Sequence, residues 1–341
     1  MTDALQSAIE AIARHEPLPP SLLEGAFDAL FTGDAPTELI AAFLTGLAVR
    51  GETASELIAG AKIMRAHATR HDIEGPLIDT CGTGGLPWKS LNTSTASAIV
   101  VAAAGGRVAK HGNRSVPPKT GSADVLEALG VNLEIDSATF RACIEGAGVG
   151  FLFARTHHTA MRHVAPVRAA LGIRTVFNLL GPLTNPAGAS HQILGVYDAK
   201  WIEPMATALA ELGVEKAWVV HGLDGIDEIS ISGVTAVAAV EDGQVNTFEI
   251  TPADAGLATS PLSSLESTDV NGNARAIEDL LDGQEGPFRN VVCLNAGAAL
   301  HLLGLATDLR EGAETATKAI DTGGAQKTLT KLVNLSHGRE A

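Results

Sequence analysis

Two stretches of the chain concentrate residue types that could handle an anion. They are Gly82-Thr-Gly-Gly85 with Asn92-Thr-Ser-Thr95, and Lys110-His-Gly-Asn-Arg114 with Gly121-Ser122. Glycine has no Cβ, so backbone N–H groups at 82, 84 and 85 can approach a phosphate closely. The amide and hydroxyls at 92–95 stand directly before a helix-compatible run, Ala96 to Ala104, which would aim a capped helix N-terminus at the same anion. Lys110 and Arg114 add two cations, and Gly121-Ser122 repeats the hydroxyl at a helix start. The spacing is neither that of a Walker loop nor that of a GxGxxG dinucleotide fingerprint. A phosphate and pyrophosphate cradle made of two loops is the reading that fits.

Asp224-Gly-Ile-Asp-Glu228 follows the apolar run Ala217-Trp-Val-Val220, which puts Asp227 and Glu228 at the C-terminal side of a candidate strand. Adjacent carboxylates beside phosphate loops suggest magnesium, which bridges protein oxygens to substrate phosphates. On a strand the two would point to opposite faces, so one would work through water. His157, His158 and His163 invite zinc, but they lack the HExxH spacing and no cysteine accompanies them. Arg168 in the same segment is a guanidinium suited to a planar carboxylate.

These groups need a scaffold, and the chain changes character near residue 70. Before it the periodicity is helical. Ser21 and Glu24 have capping-box spacing ahead of Phe27, Leu30 and Phe31; Leu39, Ile40, Phe43, Leu44 and Leu47 form a stripe; and Thr53 to Glu56 opens a third helix carrying Leu57, Ile58, Ala61 and Met64. Such stripes must pack on the main core or on another subunit, and the second is preferred. From residue 76 strand, loop and helix alternate: 77–79, helix 94–104, 107–109, helix 122–129, 150–153, then a long polar and basic helix, with further strands at 217–220 and 290–294. Val234 to Val240 and Val245 to Ile250 flank Asp242-Gly243, a hairpin signal that makes the sheet mixed. Residues 258–269 read as a surface connection.

The 341 residues and 45% hydrophobic content support a sizeable core. A formal net charge of −15 disfavours a nucleic-acid or anionic-membrane surface. Three dispersed cysteines fit a reducing cytoplasm rather than a disulfide framework. No secretion signal and no membrane span are expected.

Taken together, Gly82-Thr-Gly-Gly85, Asn92-Thr-Ser-Thr95, Lys110-His-Gly-Asn-Arg114, Gly121-Ser122, His163-Val-Ala-Pro-Val-Arg168, Asn178, Gly181-Pro-Leu183 and Asp227-Glu228 resemble the anthranilate phosphoribosyltransferase family over about residues 20–335. The resemblance implies a small N-terminal α-helical domain (1–72, with a segment near 168–190) that dimerises, and a large α/β domain (73–341) with a central mixed sheet, of the nucleoside phosphorylase and phosphoribosyltransferase type. It implies transfer of phosphoribose from phosphoribosyl pyrophosphate to anthranilate with Mg2+, in a cytoplasmic homodimer. Donor contacts carried over are Gly82, Gly85, Leu86, Ser90, Asn92, Thr93, Ser94, Thr95, Lys110, His111, Gly112, Asn113 and Ser122. Anthranilate contacts are Gly82, Asn113, His158, Arg168 and Pro182, with His111 beside them, and metal contacts are Ser94, Asp227 and Glu228. No nucleophile is implied; Lys110, Asn92 and Ser94 would stabilise the transition state. A relative with another aromatic acceptor, or a non-catalytic nucleic-acid binder on the same fold, are the alternatives; the charge and the intact Asp227-Glu228 oppose the second.

Two departures from the family pattern stand out. Leu86 replaces the acid that usually follows Gly-Thr-Gly-Gly, and Pro117-Pro118 replaces Ser-Ser, removing two N–H donors and stiffening the loop. Leu86→Asp is expected to change the donor KM and its magnesium dependence. Identical donor KM values for both proteins across a magnesium titration would refute this.

Overall fold

The computed structural model describes residues 2–85, 88–114, 121–267 and 269–341. Leu86, Pro117 and Pro118 lie outside the described residues. Four helices open the chain: α1 (Thr2–Ala13), α2 (Pro20–Thr32), α3 (Thr37–Arg50) and α4 (Ala54–Ala66). The Thr53–Glu56 capping box forms, with Glu56 N–H donating to the Thr53 hydroxyl and Thr53 N–H to the Glu56 carboxylate. The box expected at Ser21 does not. Helix α2 starts two residues earlier, on Pro20, whose fixed φ and missing N–H suit the first helical position, so Ser21 falls inside the first turn.

A seven-stranded sheet follows, built from β1 (Ile78–Gly82), β2 (Val108–Gly112), β3 (Val149–Phe153), β4 (His191–Gly195), β5 (Lys216–Gly222), β6 (Thr235–Glu241) and β7 (Gln244–Ile250). Its order is β3-β2-β1-β4-β5-β6-β7, parallel from β3 to β5 and antiparallel thereafter. The chain winds outward from β1 to β3, then restarts on the other side of β1 with β4. That reversal opens a crevice at the C-terminal ends of β1 and β4, where open α/β sheets hold ligands. The β6–β7 hairpin turns on Asp242 (φ 51°) and Gly243 (φ 72°), two left-handed residues as a two-residue turn requires.

The helices between and after the strands are α5 (Thr93–Ala103), α6 (Ser122–Ala128), α7 (Ser137–Ala147), α8 (Ala154–His157), α9 (Ala165–Leu171), α10 (Phe177–Leu180), α11 (Ile202–Glu211), α12 (Val270–Leu281), α13 (Pro287–Leu302), α14 (Leu309–Asp321) and α15 (Gly324–Ser336). Two large apolar clusters hold the layers. One joins α5, α6 and α12–α15 to a face of the sheet, including Ile78, Val108, Ile193 and Val220. The other joins the N-terminal helices (Phe27, Phe43, Leu57) to Phe177, Leu180, α11 and the opposite face through Leu194, Val219 and Ala238. The stripes of the first seventy residues are therefore buried within this chain.

Three sequence expectations need correction. Residues 290–294 are not a strand; they sit inside α13, where almost every residue is buried. A short apolar run has no period to separate a buried strand from a buried helix. The long helix expected after β3 is broken into α8, a 3₁₀ turn over Thr159–His163, and α9. Pro166, lacking an N–H, tolerates only the first turn of a helix, so it begins α9 rather than continuing α8. Residues 258–269 are more than a connection. Leu91 N–H donates to the Leu265 carbonyl (2.8 Å), Ser267 N–H to the Lys89 carbonyl (3.0 Å), and Ser90 pairs antiparallel with Glu266. This segment is the platform on which residues 89–91 rest.

Helices α13 and α14 cross through facing glycines. A Cβ at Gly312 would lie 2.3 Å from the Gly297 carbonyl oxygen, and one at Gly297 would lie 2.6 Å from the Ala313 nitrogen. Backbone cannot yield as a side chain can. Gly312→Ala is expected to destabilise the fold by about 2 kcal/mol, read as a lower urea midpoint, whereas the solvent-exposed Glu314→Ala should leave the midpoint within about 0.5 kcal/mol.

Candidate active site

At the crevice, Gly82 of β1 is paired with Gly195 of β4. The loop after β5 passes over both. A Cβ at Gly195 would stand 1.7 Å from the Asp227 carbonyl oxygen, and one at Gly82 would stand 2.9 Å from Asp227 Oδ2. The glycines thus make room for the acidic loop. Asp227 Oδ2 accepts from Gly84 N–H (2.8 Å), and Thr83 N–H donates to the Gly195 carbonyl (2.8 Å). Of the N–H groups that the sequence offered to an anion at 82, 84 and 85, that of Gly84 is therefore used internally. Gly84 (φ 66°) and Gly85 (φ 97°) turn the chain out of β1 in a left-handed conformation.

Asp227 and Glu228 lie in a bend rather than on a strand, and both line one cleft, so the opposite-facing geometry expected of strand neighbours does not apply. Asn295 of α13 clamps the next residue, accepting from Ile229 N–H (3.1 Å) and donating to its carbonyl (3.0 Å). Upstream, Asp224 gathers the Ser230 and Ser232 hydroxyls. Burial raises both carboxyl pKa values; Asp227 beside it adds to the effect on Glu228, which is pushed up to about 8. The Thr93 hydroxyl and the Ser94 N–H at the start of α5 oppose that rise. Asn92 at the N-cap makes no side-chain cap bond.

Below this, Lys110 of β2 is buried and donates to the Thr80 carbonyl and to Ser94 Oγ (3.2 Å). Asp79 underlies it, accepting from His111 N–H (3.0 Å) and Asn185 Nδ2 (2.8 Å). Burial raises the Asp79 carboxyl pKa and lowers that of Lys110, while each charge favours the other. Arg114, expected to serve the anion, is spent on Asp124 (3.0 Å) and Glu127. Ser122 reaches the wall because Gly112 has no Cβ; one there would be 2.2 Å from Ser122 Oγ.

The cleft encloses about 880 Å3. It is walled by Gly82, Gly85, Ser90, Asn92, Ser94, Lys110, His111, Gly112, Asn113, Ser122, His158, Arg168, Pro182, Asp227 and Glu228, all sequence-expected, from both sides of the molecule. Among the described residues, Thr93 and Thr95 are the exceptions. Both are buried behind the wall, and the Thr95 hydroxyl has no hydrogen-bond partner. At the far end the His111 and His158 rings lie 5.2 Å apart. Burial depresses both, His158 to about 4 and His111 well below its ordinary value, so they are neutral flat walls near pH 7. Arg168 approaches the Phe177 ring (5.5 Å) and also lines this end. His157 is tied to the Phe153 carbonyl (2.7 Å) and His163 to Arg162 (3.1 Å). The three histidines do not converge on a metal site, and among the described residues no group of three or more His, Cys, Asp or Glu could hold one. Magnesium needs less, since one or two carboxylates plus substrate phosphates suffice. Adjacent buried acids, with Glu228 Oε2 lacking any partner, fit such an ion.

Residues 6–68 match the family profile described as a glycosyl transferase family helical bundle domain, and residues 74–326 match the glycosyl transferase family a/b domain. The anthranilate phosphoribosyltransferase of Hyphomonas neptunium is 65% identical over 333 residues, covering 98% of each chain. The chain belongs to the anthranilate phosphoribosyltransferase family. Among solved structures, the Thermus thermophilus anthranilate phosphoribosyltransferase superposes with a TM-score of 0.91 at 42% identity, over 97% of this chain and 99% of that one. The Saccharomyces cerevisiae enzyme, solved in complex with PRPP and Mg, superposes at 0.90 with 27% identity over 99% of each chain. It has also been solved with 4-fluoroanthranilate.

Several groups that build the family's cleft here were not legible as site residues. Arg174 stacks on Tyr197 (3.9 Å from the ring centroid) and donates to the Gly85 carbonyl, bracing the glycine loop. Asp79, Asn185, Asn295 and Gly195 act from behind the wall. Arg174 follows Arg168 in the same basic segment, which was a usable signal; the others sit in stretches with no distinctive spacing.

A buried histidine outside the cleft wall generates a pH prediction. His71 is buried between Phe140 (4.9 Å) and His157 (4.7 Å) with neither ring nitrogen hydrogen-bonded. Burial, and secondarily His157, lower its pKa against a small opposing pull from Asp72. The unfolded chain therefore takes the proton first, and stability present above about pH 6.5 is lost as pH falls below it. His71→Phe is expected to shrink the drop in urea midpoint between about pH 7.5 and pH 5. A drop as large as that of the unaltered protein would contradict this assignment.

Proposed function

We propose that the chain transfers the 5-phosphoribosyl group from phosphoribosyl pyrophosphate to the amine of anthranilate, giving N-(5-phosphoribosyl)anthranilate and pyrophosphate, the second step of tryptophan biosynthesis from chorismate. One observation carries this reading. A single cleft is lined by one set of groups with paired acids, lysines and an amide, and by a second set with neutral imidazole rings and the Arg168 guanidinium. The first suits a polyphosphorylated sugar with magnesium; the second suits an aromatic carboxylate. The yeast relative's complexes with PRPP and Mg, and with 4-fluoroanthranilate, support the same pair of ligands.

In this reading Asp227, Glu228 and Ser94 would hold magnesium, which when bound offsets the pyrophosphate charge. Lys110, Asn92 and the α5 N-terminus stabilise negative charge as the bond from the ribose carbon to pyrophosphate breaks. The anthranilate nitrogen forms the new bond with its lone pair and sheds a proton. Positioning replaces a nucleophilic side chain. Asn113 and Arg168 orient the carboxylate, and the neutral His111 and His158 rings with Pro182 pack the aromatic face. Gly82, Gly85, Ser90, Gly112 and Ser122 line the donor path, with Leu86 beside them in sequence. We further propose that residues 1–72 with 168–190 act as a small helical domain that dimerises, residues 73–341 forming the donor domain, and that the enzyme is a cytoplasmic homodimer. No helix among the described residues is long and apolar enough to cross a membrane.

Anthranilate is fluorescent, so its consumption on mixing protein, phosphoribosyl pyrophosphate and magnesium reports transfer directly. Persistent fluorescence with folded protein would count against the reading. Arg168→Ala is expected to raise the anthranilate KM roughly 10- to 100-fold, the loss of a charge-assisted contact. The donor KM should stay within about twofold. Equal rises in both would place Arg168 outside the acceptor site.

A further inference from the structure

We infer that Asn273, which belongs to none of the donor motifs, is a positioning residue that fixes which end of the Asn92 amide faces the donor. The inference rests on the reading that the cleft binds phosphoribosyl pyrophosphate through Asn92. Asn273 lies in α12 and is wholly buried at 0% exposure. Two backbone groups with unambiguous roles set its orientation. The Asn92 N–H can only donate, and it meets Asn273 Oδ1 at 3.0 Å. The Ser90 carbonyl can only accept, and it faces Asn273 Nδ2 at 3.2 Å. That same Nδ2 meets the Asn92 side chain at 2.7 Å, where a donor requires an acceptor, so Asn92 must turn its Oδ1 toward Asn273.

The consequence falls on the cleft. With Oδ1 committed, the end of Asn92 left for a ligand is its NH2 group, and Asn92 lines the cleft. Phosphate oxygens accept hydrogen bonds, so NH2 attracts the donor and a rotated amide would repel it. The absent side-chain cap at Asn92 has the same cause, because the oxygen that would cap α5 is already held. Residues 89–91 are fixed independently on the platform at 265–267, through the Leu91–Leu265 and Ser267–Lys89 backbone bonds. Asn273 thus sets the amide on a loop that has other backbone anchors besides its own bonds to Asn92 and Ser90.

The test measures phosphoribosyl pyrophosphate affinity by calorimetry with magnesium, on the full-length protein and two variants, with wild-type anthranilate consumption followed separately. Asn273→Leu removes the amide's bonds to Asn92 and Ser90 at similar volume. Donor Kd is expected to rise at least about tenfold while the anthranilate KM stays within about twofold. Asn273→Asp keeps an acceptor for the Asn92 N–H but puts oxygen where NH2 was, forcing the Asn92 amide to rotate. Its Kd relative to wild type should be weaker at about pH 8.5 than at about pH 6, where the introduced carboxyl regains a proton to donate. A donor Kd within about twofold of wild type in folded Asn273→Leu, or equal losses for both substrates, would overturn the inference. So would an Asn273→Asp to wild-type ratio unchanged between the two pH values, which decides the matter if the leucine variant does not fold. Wild-type protein that binds the donor yet leaves anthranilate unconsumed would instead overturn the proposed reaction and leave the Asn273 comparison standing.

Discussion

The arrangement on which the rest of the site depends is the seating of Asp227 over Gly82 and Gly195. Two neighbouring parallel strands end in residues without side chains, and the acidic loop occupies the volume those side chains would fill. From that seat Asp227 takes the Gly84 N–H, which fixes the turn out of β1, and the Thr80 hydroxyl of β1 donates to the Ser94 carbonyl in the first turn of α5 (3.0 Å). Glycine loop, acidic loop and helix start are thereby one unit. Moving any of them moves the others.

This coupling changes what the glycine-rich loop does. Bare N–H groups at 82, 84 and 85 suggested direct anion binding, but that of Gly84 is occupied by Asp227, and the neighbouring Thr83 N–H by Gly195. The glycines act through close packing and left-handed turns instead. Charge complementarity to an anionic ligand comes from Lys110, itself buried over Asp79, and from the free amide end of Asn92. A protein of net charge −15 thus presents a locally favourable cleft by lining it with Lys110, Arg168 and Arg174, although Arg114 is paired with Asp124 and Glu127. The other end differs in kind. Its histidines are neutral because they are dry, and they act as ring surfaces.

Much of the scaffold was legible because local rules were strong. Thr53 and Glu56 have capping-box spacing and form the box; Asp242-Gly243 demands a hairpin and makes one; the stripe from Ile40 to Leu47 is buried as its period requires. Where local signals were weak the reading failed. Residues 290–294 carry five residues' worth of apolar pattern, which cannot separate strand from helix, and they became the middle of α13. The central strand β4 was not anticipated, since His191-Gln192 and Gly195 leave two aliphatic residues to mark it. Burial there comes from neighbours on both sides rather than from its own composition.

The sequence by itself determined which residues carry chemistry. Residue type fixes hydrogen-bonding capacity, charge and backbone freedom wherever the residue ends up, and most motif positions line the cleft. Only the tertiary structure decided how those capacities are spent. It withdrew Thr93 and Thr95 from the wall, paired Arg114, made the histidines neutral and turned the Asn92 amide by means of a residue 181 positions away. Each of those outcomes depends on who stands within about 3 Å, and hydrogen-bond partners at that range are set by the packing of distant segments.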